Sequence, residues 1–307
     1  MSLAAERRPL AEARTPRGES PWRRFAGEFA ESKLALLGLA LLALLAVLAI
    51  AAPWIAPQNP YDLAQLDVLD SRLAPGAQSL AGRTYWLGTD DQGRDMLSAI
   101  LFGLRISLTV GVASTVAALA LGLVLGLAAA YLGGWLDAAI MRIADIQLSF
   151  PAILIALILL AMLGQGVGKI IVALVTVQWA YYARTVRSAA LVERQKEYVE
   201  AARVLALPQA RIVLRHLLPN CLPPLIVVAT VQVAHAISLE ATLSFLGLGL
   251  PITEPSLGLL IANGFQYLLS GKYWISFYPG IALLVTIMAI NLVADQLRDI
   301  LNPRLKR

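Results

Sequence analysis

Four polar side chains interrupt long apolar runs of this 307-residue chain: Gln178, Gln232, His235 and Glu240. Two amides, an imidazole and a carboxylate so placed can either satisfy hydrogen bonds inside the fold or line a wet passage. An ionised group near the centre of a bilayer costs about 2.5–3.5 kcal/mol on insertion scales, so Glu240 must face protein or water. Other chemistry is poorly provided for. The lone cysteine, Cys221, excludes an internal disulfide, and with only His216 and His235 available it builds no structural zinc site. The segment Gly164-Gln165-Gly166-Val167-Gly168-Lys169 looks like a phosphate-binding loop. That pattern, however, requires glycine where Leu163 stands and a hydroxyl where Ile170 stands. With no paired acids and no His or Cys cluster, neither enzyme activity nor a cofactor or metal is expected in this chain.

Two further groups of polar residues lie outside the apolar runs. Asp90, Asp91 and Arg94 fall in a Gly- and Asp-rich turn ahead of an apolar run, where Asp90 or Asp91 is expected to cap a helix, to meet a partner at the surface, or both. The stretch from Arg184 to Cys221 is too long for a tight turn. Within it Tyr198 to Leu205 reads as a short helix broken by Pro208, and a second helix starts at Gln209, with Arg211 and Arg215 on one side and Ile212, Val213 and His216 on another. Such a helix-turn-helix is either a solvated basic loop or a protruding elbow that docks into a partner through Glu200 and the small Ala201 and Ala202.

The elements that carry these residues follow from composition. Hydrophobic residues make up 58% and charged residues 15% of the chain, which is membrane-like, and an all-α polytopic fold is expected. A bilayer core needs roughly 20 apolar residues of helix. Six runs are read as spans: 34–52 ending at Pro53, 106–131, 140–163 kinked at Pro151, 170–183, 222–246 and 278–294. The chain thus divides into a tail at 1–33, expected to be disordered up to Pro21, the first span at 34–52, and an external loop at 53–105 with a short helix leading into span two. A five-helix core at 106–297 contains the cytoplasmic loop 184–221, and a tail at 298–307 ends the chain. The first run is read as a span, not a cleaved signal, because it is long and follows 33 residues of charged chain.

Lysine and arginine set the orientation. Placing both termini in the cytoplasm puts 19 basic residues inside and 6 outside, in line with the positive-inside bias. Because the basic residues border apolar runs, the net charge of +5 points to membrane topology and not to nucleic acid. Gly122 and Gly126, with Ala117, Ala118 and Ala128 to Ala130, make a small-residue face for helix packing, either within the subunit or against a sister chain. An apolar helix from Leu257 to Leu269, capped by Ser256, is too short to span and is expected at the outer interface.

Glu200-Ala201-Ala202 followed by Leu217-Leu218-Pro219-Asn220 closely resembles the EAA loop of bacterial ABC importer permeases. Other segments resemble the second permease subunit of dipeptide and oligopeptide importers. They are Leu87 to Asp95, Leu243 to Gly249, Pro53 to Tyr61 and Asn291 to Asp299, and the likeness spans about residues 21–304. It implies a permease of an inner-membrane importer that couples to separate ATPase subunits binding ATP and Mg. It further implies a homologous second permease, an extracytoplasmic substrate-binding protein that meets the Asp90, Asp91 and Arg94 turn, a peptide substrate and membrane lipid. Coupling would fall to Tyr198, Glu200, Ala201, Ala202, Ala206, Arg211 and Pro219. Ala206 stands where the family usually has glycine. A left-handed turn there costs alanine roughly 1 kcal/mol, so the turn is expected to differ or Ala206 to stay helical. The rival class is an ion-driven secondary transporter, which would be expected to pair intramembrane carboxylates or to show an internal repeat with broken helices.

Overall fold

The computed structural model describes residues 21–62, 66–79 and 82–301. The expectations for residues 1–20 and 302–307 lie outside the described residues. Apolar residues at every helical turn, with few glycines or prolines inside the runs, favour helix wherever water cannot satisfy the backbone. The helices are α1 (Pro21–Ala30), α2 (Lys33–Ile55), α3 (Met96–Leu132), α4 (Gly134–Leu148), α5 (Ala152–Leu163) and α6 (Val167–Glu193). They continue as α7 (Glu197–Val204), α8 (Gln209–Phe245), α9 (Leu257–Phe265) and α10 (Trp274–Leu301). Among the described residues the paired strands are one small antiparallel hairpin, β1 (Ala77–Gln78) with β2 (Thr84–Tyr85), Ala77 facing Tyr85. The fold is all-α and multi-pass.

By length and composition α2, α3, α8 and α10 can each cross a membrane, and α4 with α5 adds a fifth span if that bent pair is counted as one. The remaining expected span lies in α6, whose 27 residues suffice in length but include Gln178, Tyr181, Tyr182 and Arg184. Gln178 and Tyr182 are tolerable because that side of α6 is wrapped by protein, with eleven of its residues buried, while the exposed Arg184 is paired with Asp145.

The expected boundaries shift at most helices. Pro53 lies inside α2, near its end, where the kinked backbone still continues to Ile55. The first turns of α3 precede the expected start by ten residues, and its cap is Asp95 in place of Asp90 or Asp91: the carboxylate accepts from Ser98 N at 2.8 Å. Pro151 does more than kink the third run. It caps a separate helix, and α5 leaves α4 at 93°. The loop expected at 184–221 shrinks to residues 194–208 around α7, because α6 runs on to Glu193 and α8 begins at Gln209. The tail expected at 1–33 includes α1, an ordered helix from Pro21.

The core is built on the approach of α3 to α6. A Cβ on Gly122 would lie 2.5 Å from Tyr182 Cβ and 2.6 Å from Trp179 O, and one on Gly126 would lie 2.6 Å from Ala183 O. The small-residue face therefore packs within the chain. Against this pair lies α8, with Ile237 filling the space over Gly111. Ion pairs brace α4 on α6: Arg187 clasps Asp137 at 2.5 and 2.6 Å, and Arg184 pairs with Asp145.

A side chain at Gly122 has nowhere to go. The substitution Gly122→Val is expected to cost about 2–3 kcal/mol through overpacking, seen as a lowered Tm of the detergent-solubilised protein. An unchanged Tm would show that the helices separate easily.

Candidate functional site

The elbow, residues 194–208, joins α6 to α8 and is packed against the first turns of α8. Lys196 leads into α7, whose acidic first turn holds Glu197 and Glu200. Val199 and Ala202, three residues apart, turn inward onto Ile212, Leu217 and Cys221, while Leu207 packs beside them. The opposite face presents Glu200, Ala201 and Arg203 to the surface, and the tip carries Val204 at 85% and Leu205 at 72% exposure. The tip of this amphipathic helix is thus apolar and uncovered by the rest of the chain.

The end of α7 is closed by a Schellman motif. Leu207 N donates to Ala202 O at 3.2 Å and Ala206 N to Arg203 O at 2.9 Å. Ala206 occupies the left-handed position at φ 53°, so the expectation that it would avoid this turn is corrected. Two backbone hydrogen bonds and the burial of Leu207 outweigh the alanine's cost of roughly 1 kcal/mol.

Tyr198 fastens α7 to both neighbours. Its hydroxyl donates to Glu193 Oε2 at 2.6 Å and accepts from Asn220 Nδ2 at 3.2 Å, while Lys196 pairs with the other Glu193 oxygen. Burial, reinforced by Glu193, pushes the Tyr198 hydroxyl up to about 12, so it remains a donor. Arg211 and Pro219 lie exposed on the first turns of α8. Just before Pro219 that helix widens into a π segment, Ile212–Leu217, in which Leu218 N reaches back to Val213 O. The extra residue in this turn accommodates a proline that has no N–H and would crowd the carbonyl four residues earlier. Glu193 was not anticipated from the sequence, since nothing marks one acid as the partner of a tyrosine five residues on.

The polar residues of the apolar runs do not come together on one surface. Glu240 is fully buried and accepts from Ser107 Oγ at 2.9 Å and Ser244 Oγ at 2.8 Å, fastening α8 to α3. Gln178 and Gln232 are also buried. His235 alone of the four is exposed, on a face of α8 shared with Pro224, Val231 and Thr242. Near the elbow a groove of about 1080 Å3 opens between α6, α8 and the end of α10, lined by Arg184, Ser188, Asn220, Val227 and Arg298 among others.

At the opposite end, the described residues among 56–95 form a cap. Asp90 and Arg94 are interior there: Arg94 Nε donates to Asp90 Oδ2 at 2.6 Å and its Nη1 to Ile252 O at 3.1 Å. The expected surface contact is therefore unavailable to either, because pairing within the cap consumes both charges. Asp91 is half-buried, and burial, aided by Asp90, raises its carboxyl above the usual range. The loop that looks like a phosphate cradle is a hinge between α5 and α6, held by Gln165 Nε2 donating to Gly247 O at 2.7 Å and Gly166 N to Gly249 O at 3.1 Å.

A membrane body of packed helices with one short helix held between two long ones defines a transport subunit of the permease class. The chain belongs to the family of binding-protein-dependent transport system inner membrane components, whose pattern matches residues 122–307. Residues 20–75 match the N-terminal transmembrane domain of oligopeptide transport permease C. The dipeptide transport system permease protein DppC of Escherichia coli K12 is 39% identical over 289 residues, covering 94% of this chain and 95% of that one. A putative peptide transport system permease of Brucella suis biovar 1 is also 39% identical, with 94% of each chain covered. The fold is similar to that of an inward-facing MetNI methionine ABC transporter chain, with a TM-score of 0.54 and 22% identity over 67% of this chain and 97% of that one.

Two substitutions test the geometry. Ala206→Gly relieves the left-handed strain and is expected to stabilise the elbow by up to about 1 kcal/mol, measured as slower hydrogen exchange of residues 197–208. Glu240→Ala, which strands two buried serine hydroxyls, is expected to cost about 2 kcal/mol in thermal unfolding, while Glu240→Gln retains most of the stability. Equal losses for the two would show that the serine bonds contribute little.

Proposed function

We propose that this chain forms one half of the translocation pathway of an ATP-driven importer for peptides, and that its elbow receives the push of a separate ATP-binding subunit. The observation that carries this reading is the elbow itself: a capped, eight-residue helix with its inner face buried and Glu200, Ala201, Val204 and Leu205 exposed. A solvated loop would not bury Val199 and Ala202 while leaving two aliphatic residues at its tip. The names of the relatives support peptides as the cargo.

In the proposed cycle an extracytoplasmic binding protein delivers peptide at the cap, and a homologous second permease completes the pathway. Two ATP-binding subunits hold ATP and Mg and close on the two elbows. The lysine and arginine distribution supports a cytoplasmic elbow and cytoplasmic termini. Docking of the elbow is assigned to Glu200, Ala201, Arg203, Val204 and Leu205, with Tyr198 and Ala202 holding it to the body. The open face of α8 around His235 is the candidate for lining the pathway, because it carries a polar side chain and is left uncovered by this chain. Among the described residues Glu240 is bonded to serines, not to a second carboxylate, which weighs against an ion-driven carrier.

Co-purification from gently solubilised membranes tests the assignment. The tagged wild-type chain is expected to bring down an ATP-binding subunit identified by mass spectrometry. Glu200→Ala or Leu205→Asp is expected to reduce that recovery about tenfold, the effect of removing roughly 1.4 kcal/mol of contact. A wild-type chain recovered alone or only with copies of itself would sink the proposal.

A further inference from the structure

The core where α3, α6 and α8 meet is two apolar clusters with a polar level between them. Toward the cap, Ile106 and Val110 of α3 pack with Ala173, Leu174 and Val177 of α6 and Ala236, Leu239 and Leu243 of α8. Toward the elbow, Ala118 of α3 packs with Tyr182 and Val186 of α6 and Leu225 of α8, joined by Val228 and Ala229. On each helix the residue at the junction is polar: Thr115 on α3, Gln178 on α6 and Gln232 on α8. All three are buried, at 3%, 0% and 7% exposure.

The amides of this level are not satisfied: among the described residues both side-chain atoms of Gln178 and Gln232 Nε2 have no hydrogen-bond partner. The Tyr182 hydroxyl lies just below them, beside Thr115. A buried amide without a partner is the costliest arrangement a packed core can hold short of a bare charge, and inside a membrane there is no bulk water to replace the partner. The levels above and below behave differently. Above, Glu240 is fully bonded to Ser107 and Ser244; below, the elbow is fastened through Tyr198, Glu193 and Asn220.

We propose that this polar layer is the plane on which α8 shifts against the α3–α6 body, its amides exchanging partners as the permease changes state. The proposal rests on the transport function assigned above. Apolar clusters interdigitate and resist sliding, whereas Gln178 and Gln232 gain hydrogen bonds when α8 moves. The Glu240–Ser107 bond holds the cap end of α8 while the elbow drives the other end. At Gly122 and Gly126 α3 meets the backbone of α6, whereas at Gly111 its closest approach is to the Ile237 side chain of α8, which can change rotamer, so the motion falls to α8.

Gln178→Leu, Gln232→Leu and the double variant replace the amides by apolar groups of similar size. Two quantities decide the matter. The first is the Tm of the purified chain without nucleotide. The second is the fluorescence change on adding ATP and vanadate to the assembled transporter, read from a bimane label on Val231→Cys in a Cys221→Ala background. Relief of the unsatisfied amides is expected to raise the Tm by about 2 °C or more in the double variant, and loss of the alternative pairing is expected to shrink the fluorescence response at least about fivefold. A fall in Tm for both single variants overturns the proposal, since the amides would already be partnered at rest. A full fluorescence response in the double variant, or no response in the wild type, overturns it equally. Should a leucine variant fail to fold, Gln178→Met and Gln232→Met, unbranched like glutamine, are read by the same two measurements. Failure of the wild type to recover an ATP-binding subunit counts against the assigned function, and the Tm of the isolated chain still reports on the layer.

Discussion

The close approach of α3 and α6 governs the rest of the molecule. Lipid tails offer no hydrophobic drive for helices to associate, so the backbone contact allowed by Gly122 and Gly126 must supply the packing. That contact lets α6 carry Gln178 and Tyr182 through the body, because this side of the helix is sheathed in protein. It also fixes where α8 can lie, since Ile237 fills the space over Gly111 on the same α3. Remove the approach of these two helices and neither the Glu240–Ser107 bond nor the seat of the elbow has a frame.

In the proposed cycle the elbow can work as a lever because the helices on either side of it are continuous. From Val167 to Glu193 there is no break, and from Gln209 to Phe245 the chain stays helical through the π segment ahead of Pro219. A displacement of α7 is therefore handed directly to two long helices instead of being lost in flexible loops. Its attachments are unequal. Toward the body it uses buried Val199 and Ala202 with the partly buried Leu207, which resist removal, while Tyr198, Glu193 and Asn220 form a partly exposed network that holds direction more than it adds stability. The left-handed Ala206 completes the lever, since the sharp end of α7 puts Val204 and Leu205 at an exposed tip.

Much of this was legible in the sequence. Apolar run length revealed the multi-pass class, and the Glu200-Ala201-Ala202 pattern with Pro208 located the elbow. What could not be read was where helices end, because a helix does not stop where the apolar run stops. The turns from Met96 to Arg105 and from Gln209 to Cys221 carry polar residues yet continue the same hydrogen-bonded ladder. Partners distant in the chain were equally hidden. Ser107 and Glu240 lie 133 residues apart, and Arg94 meets Ile252 across 158, separations at which no local pattern signals contact. The two aspartates near Arg94 were readable as cappers by type, but the choice of Asp95 over them depends on the tight turn at Gly93, packed against the backbone of Asp67.

The two ends of the molecule differ in stiffness, and this orders events along the chain. At the cap, the Arg94–Asp90 pair is wholly buried, Arg94 reaches Ile252 O, Trp274 Nε1 donates to Thr89 O at 3.2 Å and Gln58 Oε1 accepts from Asp95 N at 2.6 Å. Breaking a buried pair strands a charge, so the cap opens only at high cost and moves as one piece with the loop ahead of α9. At the elbow, the corresponding polar bonds are exposed enough for water to replace them, and local opening is correspondingly cheaper. Strain applied at the elbow therefore meets its first resistance in the three-helix core and not at either end. Of the levels in that core, the one with unpaired donors and acceptors loses least when its packing is disturbed, so yielding begins midway along α8 while the cap holds its shape.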